Sequence, residues 1–121
     1  MQFTIYGNQE DIKGNPIPYH RTTQGSYWNK SSKRYLAWKN YVVKSFCKQT
    51  NHIDDGKKPI KKSAEKINMA LVIYFKDKTH GDSDNIFKGI ADALFENDKY
   101  VAGVFDFDYD KENPRVEVVI C

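Results

Sequence analysis

Hydrophobic and polar residues alternate at the start of the chain. Phe3 and Ile5 fall on one side, with Gln2, Thr4 and Tyr6 on the other, which predicts a short strand over QFTIY. Glycine, proline, asparagine and threonine crowd residues 7–29, with brief β-like pieces such as IPYHRT and SYW, so this segment reads as an irregular loop or hairpin. Ser31 or Ser32 can cap the helix that follows. From about Lys33 to Gln49 the period becomes helical. Tyr35, Leu36, Val42, Val43, Phe46 and Cys47 share one arc, and Ala37, Lys44 and Lys48 oppose it. Lys39 intrudes on the apolar arc, so it either snorkels or points at a partner. TNHIDDGKKPIKKS (50–63) is polar and lysine-rich, and predicts a flexible connecting loop.

INMALVIYF (67–75) is nearly continuous apolar sequence rich in β-branched and aromatic residues, the pattern of a strand covered on both faces. A second helix is expected from about Asp84 to Phe95. After it, VFDFDYD sets Phe105, Phe107 and Tyr109 against Asp106, Asp108 and Asp110 with a period of two. KENP makes a turn, and RVEVVI is expected to return as the hairpin partner, with Val116, Val118 and Ile120 aligned. The order β, α, β, α, β, β predicts an α+β fold: one domain over residues 1–121, a mixed sheet of four or more strands and two main helices.

Composition narrows the class. A chain of 121 residues and 14.1 kDa is long enough for one core without metal or disulfide staples. Seven Phe, eight Tyr and two Trp are too many aromatics for a disordered tail. No apolar run approaches the roughly 20 residues that span a bilayer, and MQFTIYGNQEDI lacks the regions of a signal peptide. The expectation is a cytoplasmic protein with no membrane partner. Cys47 and Cys121 suit a reducing compartment as free thiols, too few for a disulfide framework or a zinc cluster.

The net charge of +3 hides an asymmetry. Residues 1–66 carry +8 and residues 67–121 carry −5. Two unrelated solvated faces would account for this, and so would one surface that holds an anionic partner beside another that holds cations.

The acidic residues concentrate in KTHGDSDNIFKGIADALFENDKY. Asp82 and Asp84 stand two apart where a strand has ended and a helix is about to begin, so two carboxylates can face one cation. Counting from Asp84 at about 100° per residue, Lys88 lies near 40° and Asp92 near 80°, opposite a complete apolar face. Asp98 follows the helix. Taken singly these are ordinary features: helix-capping acids, and i,i+4 pairs at Asp84–Lys88 and Lys88–Asp92. Taken together they are a cluster of carboxylates that repel unless a cation is shared. Hard oxygen ligands favour Mg²⁺ or Mn²⁺ over zinc, and His80 alone does not alter that.

The stretch DSDNIFKGIADAL (82–94), with Asp98 after it and a closing segment containing PRVE, resembles the RusA family of Holliday-junction endodeoxyribonucleases. The family pattern D-x-D-N-x-x-K-x-x-x-D-x-L, followed by a carboxylate before a valine-rich strand, is met at Asp82, Asp84, Asn85, Lys88, Asp92, Leu94 and Asp98. The resemblance is strongest over residues 67–121 and extends more weakly to the N-terminal half. It implies that Asp82, Asp84 and Asp98 bind the metal, with Glu96 the substitute for Asp98. It also implies that Lys88 is the catalytic lysine, that Asn85 holds the junction, that Asp92 is structural or supports the metal ligands from behind, and that the enzyme is a homodimer.

These residues support a chemistry. Hydrolysis must bring a nucleophile against an anionic phosphate, so a carboxylate trio requires its metal. Mg²⁺ (Mn²⁺ as substitute) can activate water and neutralise charge on the departing 3′ oxygen. Lys88 can stabilise the transition state or protonate the leaving oxygen. With no Cys/His or Ser/His constellation, no covalent intermediate is expected. Arg21, Lys30, Lys33 and Arg34 lie close in sequence to Tyr19, His20, Tyr27 and Trp28, which joins phosphate contacts to stacking platforms. Lys57, Lys58, Lys61 and Lys62 form a second basic patch. The expectation is a Mg²⁺-dependent, dimeric endodeoxyribonuclease that resolves four-way branched DNA by paired nicks. A less selective metal-dependent nuclease and a non-catalytic DNA-binding module are the alternatives.

Overall fold

The computed structural model describes residues 1–7, 14–21, 30–61 and 66–121. Four strands form one mixed sheet: β1 (Gln2–Tyr6), β2 (Ile67–Phe75), β3 (Val101–Tyr109) and β4 (Arg115–Ile120), in the order β1-β4-β2-β3. Two helices, α1 (Lys30–Thr50) and α2 (Ser83–Leu94), pack on one side of it, and a 3-10 turn at Asp98–Tyr100 leads into β3. The arrangement is the expected α+β fold.

β3 runs parallel to β2 in the register Ile67↔Val101 to Phe75↔Tyr109, which requires the crossover that α2 supplies. The hairpin between β3 and β4 does not form. β4 instead pairs antiparallel with both β1 and β2, and β2 separates it from β3. Residues 110–114 carry the chain past the end of β2. Asp110 donates its N–H to Phe75 O at 2.8 Å, and the Arg115 guanidinium binds the Asp110 carboxylate at 2.9 Å. Burial explains the choice. Val116, Val118 and Ile120 are buried, whereas Gly103–Tyr109 is exposed throughout, so the more apolar strand takes the interior position.

β2 is central but is not covered on both faces. Met69, Leu71, Ile73 and Phe75 are buried under the helices, while Val72 on the reverse face is exposed, as are Val104 and Val119 beside it. Its apolar sequence therefore reports pairing on both edges and a back face that no described element covers.

α1 begins three residues before the expected start, which places Ser31 and Ser32 inside the helix rather than at its cap. Tyr35, Val42, Phe46 and Cys47 are buried as the arc predicts, together with Trp38; Leu36 and Val43 stay half-buried. Asn51, at φ 59°, ends the helix in the left-handed conformation that asparagine tolerates, and His52 N–H closes onto Cys47 O at 2.9 Å. Within the connection after it, Ile60 is anchored: it bridges Phe95, donating to Leu94 O and accepting from Glu96 N.

Candidate active site

α2 starts at Ser83, with Asp82 as its N-cap residue in extended conformation, one position earlier than the sequence suggests. Asp84 is therefore already in the first helical turn, where a carboxylate interacts favourably with the helix dipole. The Asp82 side chain makes no capping hydrogen bond. Both residues are exposed, and among the described residues neither enters an ion pair.

The loop that delivers these carboxylates is held from two sides. His80 stacks on Phe75 with ring centroids 3.6 Å apart and planes within 8°. Its Nδ1 lies 2.7 Å from Gly81 O, which only accepts, so Nδ1 carries hydrogen; Nε2 meets the Tyr109 hydroxyl at 3.0 Å. Asn15 crosses from the N-terminal segment, accepting from Lys76 N at 2.6 Å and donating to Asp77 at 2.8 Å and to Thr79 O at 3.1 Å. Hydrogen bonds from the Thr79 hydroxyl and then Asn15 hold the Asp77 carboxyl below the usual carboxylate range. Arg34, Lys76 and His80 line a cleft of about 390 Å³ immediately before Asp82.

Lys88 is exposed on the same helix, with its Nζ 4.2 Å from the centre of the Tyr19 ring. It joins neither of the i,i+4 pairs that the spacing allows. Asp92 instead accepts from the Tyr35 hydroxyl at 2.7 Å and pairs with Lys39 at 3.0 Å and Lys58 at 3.3 Å. The intruding lysine of α1 thus points at a partner. Burial raises the Asp92 carboxyl, but Tyr35 and the two ammonium groups outweigh it and the group sits below its ordinary value. Burial, and then Asp92, push the Tyr35 phenol up. This cluster ties α1 and the 51–61 connection to α2.

Asp98 lies elsewhere. It follows the far end of α2, about 18 Å along a 12-residue helix, and leads into the strand whose first residue pairs with Ile67 at the opposite end of β2 from Phe75. Glu96 is exposed at that same end, its N–H bonded to Ile60 O. The fold brings Asp82 and Asp84 together at the head of α2 and does not add Asp98 or Glu96 to them. Among the described residues, no group of three His, Cys, Asp or Glu side chains could hold a metal ion. One chain offers two hard oxygen ligands, which suit Mg²⁺ or Mn²⁺ chemically but do not complete a site.

Of the basic residues, Lys30, Lys33 and Arg34 are exposed on the first turns of α1, and Arg21 is exposed beyond His20. Asn85 is half-buried, and its carbonyl accepts from Tyr19 N at 2.9 Å. Lys57 and Lys58 line a second cleft of about 390 Å³ against Leu36, Lys39, Val43 and Lys44 of α1. Tyr27, Trp28 and Lys62 lie outside the described residues. No described helix is long and apolar enough to cross a membrane.

Sequence reasoning missed three contacts that shape the site: Tyr19 against Lys88, Tyr35 on Asp92, and His80 on Phe75. Only the Lys39 intrusion signalled that the apolar arc of α1 had a charged partner.

Compared with known families, residues 12–121 match the family described as Endodeoxyribonuclease RusA. No individual curated protein matches the chain.

Proposed function

The chain belongs to the RusA endodeoxyribonuclease family, and on that premise we propose that it is a metal-dependent, homodimeric nuclease cutting four-way DNA junctions by paired nicks. Membership implies Holliday-junction-resolving endonuclease activity; the metal, the paired cuts and the residue roles are the proposal. The observation that carries it is the pair of exposed carboxylates, Asp82 and Asp84, at the head of α2 with Lys88 on the next turn.

When bound, Mg²⁺ (or Mn²⁺) supplies water activation and neutralises charge at the cleaved phosphate. Asp82 and Asp84 would hold it. Lys88 meets the negative charge that builds on the phosphoryl oxygens and delivers a proton to the departing 3′ oxygen. Arg21, Lys30, Lys33 and Arg34 hold flanking phosphates, and Asn85 positions the junction.

The third carboxylate gives the dimer a chemical reason. β3 runs from the Asp98 end of the fold to Tyr109, which touches His80 two residues before Asp82, and its outer edge pairs with no described strand. Antiparallel pairing of two copies across that edge sets the Asp98 end of one against the Asp82–Asp84 end of the other. Asp98, with Glu96 as substitute, would then complete the partner's pair of ligands. A cytoplasmic bacterial or phage-encoded enzyme fits this reading.

The test compares a labelled four-way junction with linear duplex, with and without Mg²⁺, using wild type and Asp84→Asn. Metal-dependent paired nicks in the junction alone, lost in the variant, support the reading. Cleavage of both substrates indicates a general nuclease, and binding without cleavage indicates a DNA-binding module.

A further inference from the structure

Tyr19 belongs to the irregular segment between β1 and α1, where its ring was expected to serve DNA stacking. The structure gives it a different neighbour. The Lys88 ammonium stands 4.2 Å from its ring centre, well within the roughly 6 Å over which a cation is attracted to an aromatic face. The ring is itself fixed. It packs edge-on against Tyr35, with centroids 5.5 Å apart and planes at 72°. Tyr35 is buried, and its hydroxyl is locked onto Asp92 at 2.7 Å.

The backbone is clamped to the same helix. Tyr19 N–H donates to Asn85 O at 2.9 Å, and Pro18 sits against Gly81 so closely that a Cβ there would lie 2.7 Å from the proline ring. At Gly89, one residue past Lys88, a Cβ would come within 3.3 Å of both the Tyr19 nitrogen and the Tyr35 ring. The helix thus carries no side chain at the position where these two aromatics approach it. A continuous set of contacts, Asp92 to Tyr35 to Tyr19 to Lys88, connects a half-buried ion cluster to an exposed ammonium.

We propose that Tyr19 is a positioning residue: its ring face holds the Lys88 ammonium over the first turns of α2, on the side of the helix where the Asp82–Asp84 pair stands. A lysine side chain on a helix surface has four rotatable bonds, and without a fixed partner its ammonium is spread over many rotamers. A ring face held at that distance narrows the spread. Its role in cleavage rests on the function proposed above; the contact itself does not.

The experiment has two arms. In spectra of the ¹³C-labelled protein, the Lys88 ε-methylene protons, assigned by their loss in Lys88→Arg, should resonate upfield of the other lysines. That shift should persist in Tyr19→Phe and vanish in Tyr19→Leu, which retains the backbone bond to Asn85. In cleavage of a four-way junction with Mg²⁺, Tyr19→Leu should lower kcat by about 10- to 100-fold at unchanged KM, and Tyr19→Phe should recover most of that loss. An unshifted Lys88 in wild type overturns the contact, and needs no variant to fold. Equal kcat in the leucine and phenylalanine variants overturns the positioning role. If wild type cuts no DNA while the shift follows the ring as described, the contact stands and the nuclease reading falls.

Discussion

The Lys39 ammonium lies 3.0 Å from the Asp92 carboxylate, so the one charge on the apolar arc of α1 meets the last acid on the polar face of α2. Lys58 adds a second ammonium at 3.3 Å and Tyr35 a hydroxyl at 2.7 Å. The folded protein therefore holds Asp92 below the ordinary carboxylate value, and the unfolded chain does not. A depressed carboxyl contributes stability that is complete above its unfolded pKa of about 3.9 and is lost as pH falls through the lower folded value. Asp92→Asn should flatten that acid limb. Urea midpoints measured from neutral pH down through the carboxylate range would show wild type losing more stability than the variant; parallel curves would remove Asp92 as the cause.

Asp92→Ala goes further, because it strands a buried phenol and two ammonium groups. The expected loss is about 1–3 kcal/mol at neutral pH, read from denaturant unfolding. Tyr35→Phe should cost less, since it removes the donor and leaves the ion pairs.

Lys88→Ala should abolish junction cleavage, with a fall of at least about 10²-fold, while junction binding stays close to wild type. Single-turnover cleavage and a gel-shift titration on the same junction separate the two effects. Near-normal cleavage would remove Lys88 from the mechanism.

Asp84→Asn and Asp98→Asn should each be inactive, with stability changed by at most about 1 kcal/mol. Mixing the two after partial unfolding and refolding should restore cleavage if the ligands come from different copies, because the mixed dimer regains one intact site. No recovery, with mixed dimers present, would place all three ligands in one chain.

Arg34→Ala should weaken junction binding and lower the slope of log K against log salt by about one. An unchanged slope would move the DNA path away from the start of α1.

Much of this was legible in the sequence. Period-two runs located β1 and β3, and the 3.6 period located both helices to within a few residues. Asp82, Asp84 and Lys88 could be placed at the head of α2 from spacing alone. Strand order was not legible, because VFDFDYD and RVEVVI with a short turn between them satisfy every local rule for a hairpin. Their placement was decided by the interior position beside β2, which Val116, Val118 and Ile120 fill. The separation of Asp98 from the pair was legible but not drawn. Spacing alone puts it past the C-terminal end of a 12-residue helix, about 18 Å from Asp82 and Asp84, and it was the family resemblance that joined it to them. Tyr19 and Lys88 are 69 residues apart and no local pattern joins them.

The place of β4 in the sheet has a kinetic consequence. Among the described residues β1 pairs only with β4, in contacts such as Gln2↔Val119 that join residues more than a hundred positions apart. During synthesis, β1 can pack Phe3 on Phe46 and bond Thr4 to Gln49 once α1 has formed, but among the described residues it has no strand to pair with until residues 115–120 have left the ribosome. The β2–α2–β3 unit can form before then, but with the β2 edge open where β4 will insert. Closure is therefore a late, long-range event, of the kind that slows folding and exposes strand edges to other chains.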